Sequence, residues 1–126
     1  MTARARQNIG CLALLLPLAA VLCACSSPPP APKNNAHGSV SNVRVTGEAQ
    51  LINGEMDWGE LVTFDLVNTG ERGMLHITVV LSTSEGQWTR TQDLEFGAQE
   101  SRTLSYFFQE PTINVTNVQA RVSAEP

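Results

Sequence analysis

The chain has 126 residues and a formal net charge of −4 at pH 7, with 12 acidic and 8 basic side chains. Two of the basic residues, Arg4 and Arg6, fall in the first segment, so the rest of the chain carries 12 acidic against 6 basic side chains. This excess of negative charge argues against nucleic acid or an anionic membrane surface as a partner. The length suffices for one small domain and little more.

The first 24 residues have the layout of a secretory signal peptide. Arg4 and Arg6 precede an apolar run, residues 9–24, that is rich in leucine and alanine. A membrane-spanning helix needs about 20 apolar residues, and this run is shorter and contains a glycine and a proline. The segment therefore predicts export, with residues 1–24 removed from the mature protein.

The end of the apolar run, Leu22-Cys23-Ala24-Cys25, resembles the lipobox of bacterial lipoproteins. In that family an aliphatic residue stands three positions before the modified cysteine and a small residue one position before it. The resemblance implies that Cys25 receives a diacylglyceryl group and anchors the protein to a membrane. Ser26 stands where an aspartate tends to hold such proteins at the inner membrane, which implies the outer membrane, facing the periplasm, if the host has two membranes. The alternative is an ordinary secretory signal cut nearby.

Residues 25–39 are predicted to form a lipid-anchored, proline-rich, disordered linker. The stretch SSPPPAPKNNAHGS contains almost no large apolar side chain. It therefore cannot bury enough surface to offset the entropy of ordering. We interpret His37 as a solvated linker residue and expect the folded domain at residues 40–126.

The alternation of apolar and polar residues in this domain has a period of two, which is typical of half-buried β-strands. Asn53-Gly54 is a strong signal for a two-residue hairpin turn. Turn signals recur about every ten positions and no segment carries a helical stripe, so we expect an all-β, antiparallel, immunoglobulin-like sandwich of about six to seven strands. The predicted strands are 43–51, 62–66, 75–81, 88–96, 104–108 and 113–122. The last needs a bulge near Thr116-Asn117, which brings Ile113 and Val115 onto the same inward face as Val118, Ala120 and Val122.

The run VTFDLVNTGERGMLHITVVLSTSEGQWTRTQDLEFGAQESRTLSYFF resembles the small immunoglobulin-like domains of bacterial surface and periplasmic proteins, of the CARDB or FxLYD type. Those domains have an apolar strand ending in Asn-x-Gly, a valine-rich strand, and a corner ending in Glu-Ser before another apolar strand. Ala98-Gln99 stand here where the family usually has Pro-Gly. The resemblance covers about residues 43–122 and implies a spacer or binding module. It transfers no catalytic residue.

The residues predict no enzymatic site. The mature chain has no Gly-x-Ser-x-Gly nucleophile elbow and no phosphate-binding glycine loop. Its two histidines, His37 and His76, are too few for a zinc site, and His76 is expected to point outward from its strand. We therefore expect no catalytic residue, no metal and no cofactor.

The stretch EMDWGE carries three carboxylates, Glu55, Asp57 and Glu60, within six residues. A loop that turned their oxygens inward could hold a calcium ion. The spacing is not that of a calcium-binding loop, however. A solvated hairpin end is the favoured interpretation, and a weak cation site is the alternative.

The aromatic residues give the candidate partner contact. Most aromatics in a domain of this size fill its core. Strand alternation nevertheless points Phe107 away from the face that Tyr106 and Phe108 share. We therefore predict that Phe107, with Val80 or Val67, forms an outward apolar patch where another protein docks.

Together these features favour a non-enzymatic, membrane-anchored lipoprotein that acts as a protein-interaction or scaffolding module in the bacterial cell envelope. Its expected partners are the membrane, through the lipid at Cys25, and an envelope protein. The alternative is a binding protein for an envelope glycan or a small ligand, which would need a concave pocket lined by Trp58 or Trp88.

Overall fold

The computed structural model describes Pro30 and residues 33–126. The predicted signal peptide and the predicted lipidation site, Cys25, lie outside the described residues. The described part contains six strands: β1 (Gly38–Ile52), β2 (Glu55–Asn68), β3 (Gly73–Thr83), β4 (Gly86–Phe96), β5 (Ser101–Phe108) and β6 (Gln119–Glu125).

The six strands form two antiparallel sheets of three strands each. Sheet A has the order β1-β2-β5 and sheet B the order β4-β3-β6. The connections from β2 to β3, from β4 to β5 and from β5 to β6 pass from one sheet to the other, as in immunoglobulin-type sandwiches. The predicted all-β antiparallel sandwich is confirmed.

The core lies between the two sheets and consists of alternate residues of the central strands. Because side chains alternate across a strand, every second residue of β2 and β3 faces inward. Two aromatic rings, Phe96 of β4 and Phe108 of β5, complete this layer. The fully buried residues of the central strands are Val62, Phe64, Leu66, Leu75, Ile77, Val79 and Leu81.

The last predicted strand, residues 113–122, is wrong in its first half. Strand β6 begins at Gln119, and residues 109–118 form the connection that crosses from sheet A to sheet B. Asn117 has a positive φ of 54°, and the Ser84 N–H donates to the Thr116 carbonyl at 2.9 Å. These contacts attach the connection to the β3–β4 turn instead of extending a strand. Ile113, which the alternation placed on the inner face, is 68% exposed.

The folded unit begins at Lys33, before the predicted boundary at residue 40. Ala36 belongs to the core and is only 2% exposed. The Thr69 N–H donates to the His37 carbonyl at 2.8 Å, and Gly38 already opens β1. Residues 33–39 of the predicted linker are therefore part of the sandwich. They are held by backbone and side-chain hydrogen bonds, which composition does not reveal.

Strands β1 and β2 extend past the rest of sheet A as a two-stranded ribbon. Strand β5 pairs with β2 only over residues 60–67, whereas β1 pairs with β2 as far as Ile52 and Glu55. The connecting turn is Asn53-Gly54, with φ of 51° and 88°, which is the hairpin the sequence predicts. We call residues 47–60 the ribbon. The five residues of each strand nearest the turn, 48–52 in β1 and 55–59 in β2, reach about 16 Å past the end of β5.

The ribbon tip and the entry of the chain lie at opposite ends of the sandwich. The chain enters beside the β2–β3 and β4–β5 turns, which we call the base end: the Glu71 N–H donates to the Asn35 carbonyl, and the Gln99 N–H to the Asn68 carbonyl. From there β1 runs its whole length of 15 residues to the tip. That distance is about 46 Å.

Candidate functional site

The structure does not bring the three predicted contact residues together. Val80 alternates with the core residues of β3 and therefore lies on the outer face of sheet B. Phe107 and Val67 lie on the outer face of sheet A, where Phe107 pairs with Leu61 and Val67 pairs with Ser101. Six residues of strand, about 20 Å, separate them along that face.

Phe107 is half-buried because its ring covers a glycine of the neighbouring strand. A Cβ on Gly59 would lie 2.6 Å from Phe107 Cζ. The ring therefore occupies the space that a side chain at this position of β2 would fill. Phe107 contributes to the packing of sheet A as well as to its surface.

Val80 borders a shallow depression of about 180 Å³ on sheet B. Its lining is mainly polar and contains no aromatic residue. The lining residues are Val80, Ser82, Gln87, Gln119, Ala120 and Arg121. It does not have the aromatic lining expected of a glycan-binding pocket.

The three carboxylates of EMDWGE do not converge. Alternation along β2 places Glu60 on the core-facing side of the strand, and Glu55 and Asp57 on the opposite side. Within the part of the chain that the structure describes, no group of three or more His, Cys, Asp or Glu side chains could hold a metal ion. The alternative of a shared cation at these residues is therefore not supported.

His76 points outward from β3, as predicted, and lies between two carboxylates. Its Nδ1 is 2.5 Å from Asp93 Oδ1, and Glu125 of β6 is its partner in the strand register on the other side. The His76 and Asp93 side chains are 53% and 65% exposed. Ion pairs this exposed contribute at most about 1 kcal/mol.

The ribbon carries the most exposed apolar pair of the sandwich. Leu51 and Met56 are partners across the ribbon and are 68% and 69% exposed. They lie on the side that continues the core face of sheet A. Along that side, exposure rises from 0% at Val62 through 6% at Glu60 to 69% at Met56. The core face of β2 therefore runs out beyond the strands that cover it.

Two polar groups of the ribbon, close to the point where β5 ends, lack a partner among the described residues. Glu60 is 6% exposed, forms no hydrogen bond or ion pair there, and burial raises the pKa of its carboxyl. The Trp58 Nε1 is buried without an acceptor. Both side chains lie over Gly47, where a Cβ would be 3.3 Å from Glu60 Oε1 and 2.9 Å from Trp58 Cζ2. We call Glu60 and Trp58 the unpaired polar groups.

An open depression of about 510 Å³ lies beside the ribbon tip. It combines apolar side chains with two carboxylates. The lining residues are Ile52, Asn53, Glu55, Met56, Asp57 and Gln109. Four acidic residues occur between positions 47 and 60, and no lysine or arginine lies between Arg44 and Arg72. The tip is therefore both acidic and apolar.

Comparisons with known proteins give no family for this chain. No family model matches it, and no curated protein and no solved structure is similar to it. In the described part of the chain, no helix is long and apolar enough to cross a bilayer. The functional interpretation therefore depends on the surfaces of the sandwich.

Proposed function

We propose that the protein is a non-enzymatic lipoprotein, anchored through Cys25, that acts as a protein-interaction or scaffolding module in the bacterial cell envelope. The observation that carries the proposal is the ribbon tip, where Leu51 and Met56 are 68% and 69% exposed. Large apolar side chains exposed side by side on a protruding element are typical of a surface that another protein covers.

The position of the ribbon suits an anchored protein. A lipid at Cys25 would connect to the domain at its base end, where the chain enters at Lys33. The tip is then the part of the domain farthest from the point of attachment. An acidic, apolar tip held in this way is available to a partner in the periplasm, or on the outer side of the membrane in a host that has only one.

The alternative, a binding protein for an envelope glycan or a small ligand, has less support. Glycan sites use aromatic rings that form one wall of a concave pocket. Neither of the two depressions described above contains an aromatic residue. Trp88 packs against the core, and the ring of Trp58 lies over Gly47.

The anchor is tested by Cys25→Ala, with Cys23→Ala as the matched control. We expect the wild-type protein and the control to stay in the membrane fraction until detergent is added. The Cys25→Ala protein should be released without detergent, because it has no acyl chains to bury. Retention of Cys25→Ala in the membrane fraction would contradict the proposed anchor.

The interaction is tested by affinity purification from detergent-solubilised membranes of the native host. The double variant Leu51→Ser/Met56→Ser is compared with the wild type and with Val43→Ser, which changes an exposed apolar residue of β1 outside the ribbon. We expect one envelope protein to be enriched at least about tenfold with the wild type and Val43→Ser, and to be lost from the double variant. Identical protein sets from all three would count against an interaction module that uses this tip.

A further inference from the structure

We infer that the core-facing side of the ribbon binds an extended segment of a partner protein that combines apolar side chains with one lysine or arginine, and that this cation pairs with Glu60. The inference rests on the proposed function and specifies the chemistry of the partner. The unpaired polar groups and the exposed pair Leu51 and Met56 lie on this one side of the ribbon.

Glu60 shows what the partner must supply. Burying a carboxylate is costly unless a cation or hydrogen-bond donors compensate it. Only 6% of Glu60 is exposed, and no described residue supplies its carboxylate with a cation or a hydrogen-bond donor. Buried indole N–H groups nearly always find an acceptor, and the Trp58 Nε1 has none. A lysine or arginine of a bound segment can supply the cation for Glu60, whereas the Trp58 Nε1 has no accessible surface and is not reached by a segment laid on the ribbon.

The spacing along β2 determines the pattern of the partner. Met56, Trp58 and Glu60 are two residues apart and therefore share one side of the strand. Met56 and Glu60 are about 13 Å apart along the strand. An extended segment laid along this side would place its apolar residue and its lysine or arginine about four positions apart.

The charge of the ribbon selects among possible occupants. Glu48, Glu55 and Asp57 add to the negative potential of Glu60, and no basic residue of the ribbon offsets it. This field attracts a basic segment and speeds its association. A second copy of the chain would bring an equally acidic ribbon and be repelled, so the structure favours a different, basic partner.

Three labelled synthetic peptides test this chemistry with the full-length protein in mild detergent, by fluorescence anisotropy. The first alternates leucine and threonine and carries lysine four positions after a leucine. The second has glutamate in place of the lysine, and the third keeps the lysine but has serine in place of every leucine. We expect the first peptide to bind at least about tenfold more tightly than the other two, because it alone supplies both apolar cover and a cation.

Two variants assign the preference to Glu60. Glu60→Gln keeps the size of the side chain and removes its charge, and should abolish the preference for lysine over glutamate. Glu55→Gln is the matched control on the opposite side of the same strand, and should retain most of that preference. Met56→Ser should weaken binding of the first peptide without changing the melting temperature.

Three results would overturn the inference: equal binding of the lysine and glutamate peptides, equal binding of the leucine and serine peptides, or a lysine preference that survives in Glu60→Gln. None of these results affects the proposed function. That proposal is tested separately, by whether a host protein binds the wild type and is lost from the Leu51→Ser/Met56→Ser variant. If that host protein is lost from the variant but the peptides show no preference, the interaction module is supported and the chemistry inferred for its partner is rejected.

Discussion

Asn68 Oδ1 accepts a hydrogen bond from the His37 backbone N–H at 2.9 Å and so ties the entering chain to the end of β2. The same oxygen accepts from the Gly70 N–H at 3.0 Å. The Asn68 Nδ2 donates to the carbonyls of Glu71 and Gly97 at 2.7 and 3.0 Å. One fully buried side chain therefore holds together the chain entry and the two turns of the base end.

Removal of the Asn68 amide should destabilise the whole domain. In Asn68→Ala the part-buried backbone groups of the entering chain and both turns lose four hydrogen bonds, and each buried group left unpaired costs about 1–3 kcal/mol. We expect the free energy of unfolding, measured with urea, to fall by about 3 kcal/mol or more. Asn114→Ala, at an exposed position, is the control and should change it by less than about 0.5 kcal/mol. A loss below 1 kcal/mol for Asn68→Ala, on the scale of one exposed hydrogen bond, would show that this asparagine does not organise the base end.

Gly47 and Gly59, the two glycines in the strands of the ribbon, should differ in their tolerance of a methyl group. A Cβ on Gly59 would collide with the Phe108 backbone carbonyl oxygen, whereas a Cβ on Gly47 meets side-chain atoms of Trp58 and Glu60. Backbone cannot move aside as easily as a side chain, so Gly59→Ala should cost about 2 kcal/mol or more. Gly47→Ala should cost less and should shift the tryptophan fluorescence. Equal losses of stability in urea unfolding would contradict the close approach at Gly59.

The Glu60 carboxyl should make the stability of the fold depend on pH, and the uncharged side chain of Glu60→Gln should not. Burial raises the pKa of this carboxyl above its usual 4.5, so the folded state favours the protonated form. Its ionisation therefore destabilises the fold as the pH rises from 4.5 through the raised pKa. Glu60→Gln should be more stable than the wild type at pH 7, and the difference should shrink as the pH falls through the raised pKa towards 4.5. A Glu60→Gln protein that is less stable than the wild type at pH 7 would show that the carboxylate has a stabilising partner.

Phe107→Ala should lower stability moderately. The ring covers Gly59 and is half-buried, so its loss should cost about 1–2 kcal/mol, below the cost of deleting a fully buried phenylalanine. In a domain of this size that corresponds to a fall of roughly 4–15 °C in the melting temperature. Calorimetry of the variant measures the effect, and an unchanged melting temperature would indicate a residue kept for binding alone.

Alternation and turn chemistry were sufficient to predict the sandwich. The buried residues of β2 and β3 follow a period of two, and Asn53-Gly54 forms the predicted hairpin. The period-two alternation gave a wrong strand at Ile113 and Val115, because a connection between sheets can alternate without forming a strand. It also missed the start of the domain at Lys33, where hydrogen bonds from Asn34, Asn35 and His37 and one small buried side chain, Ala36, are the source of order.

The candidate site was only partly visible in the sequence. The sequence shows the acidic stretch around Glu55 and Asp57, but not that β5 ends beside Glu60 and leaves Met56 uncovered. That depends on strand lengths and register, which no local pattern specifies. Gly47 was the available signal, since a glycine inside a strand often marks a close approach of neighbouring atoms. Only the pairing of Gly47 with Glu60 shows what approaches it.

The most direct test of an anchored interaction module is photo-crosslinking of the full-length protein in cells of its native host. A photoreactive residue is placed in turn at Met56, Glu55 and Phe107, and at Thr69 in the base end as the control, and adducts are identified by mass spectrometry. We expect one dominant envelope protein to be crosslinked at Met56 and Glu55 and to be absent at Thr69. No protein adduct at the ribbon, or equal adducts at Thr69 and Met56, would contradict a partner that docks at the tip.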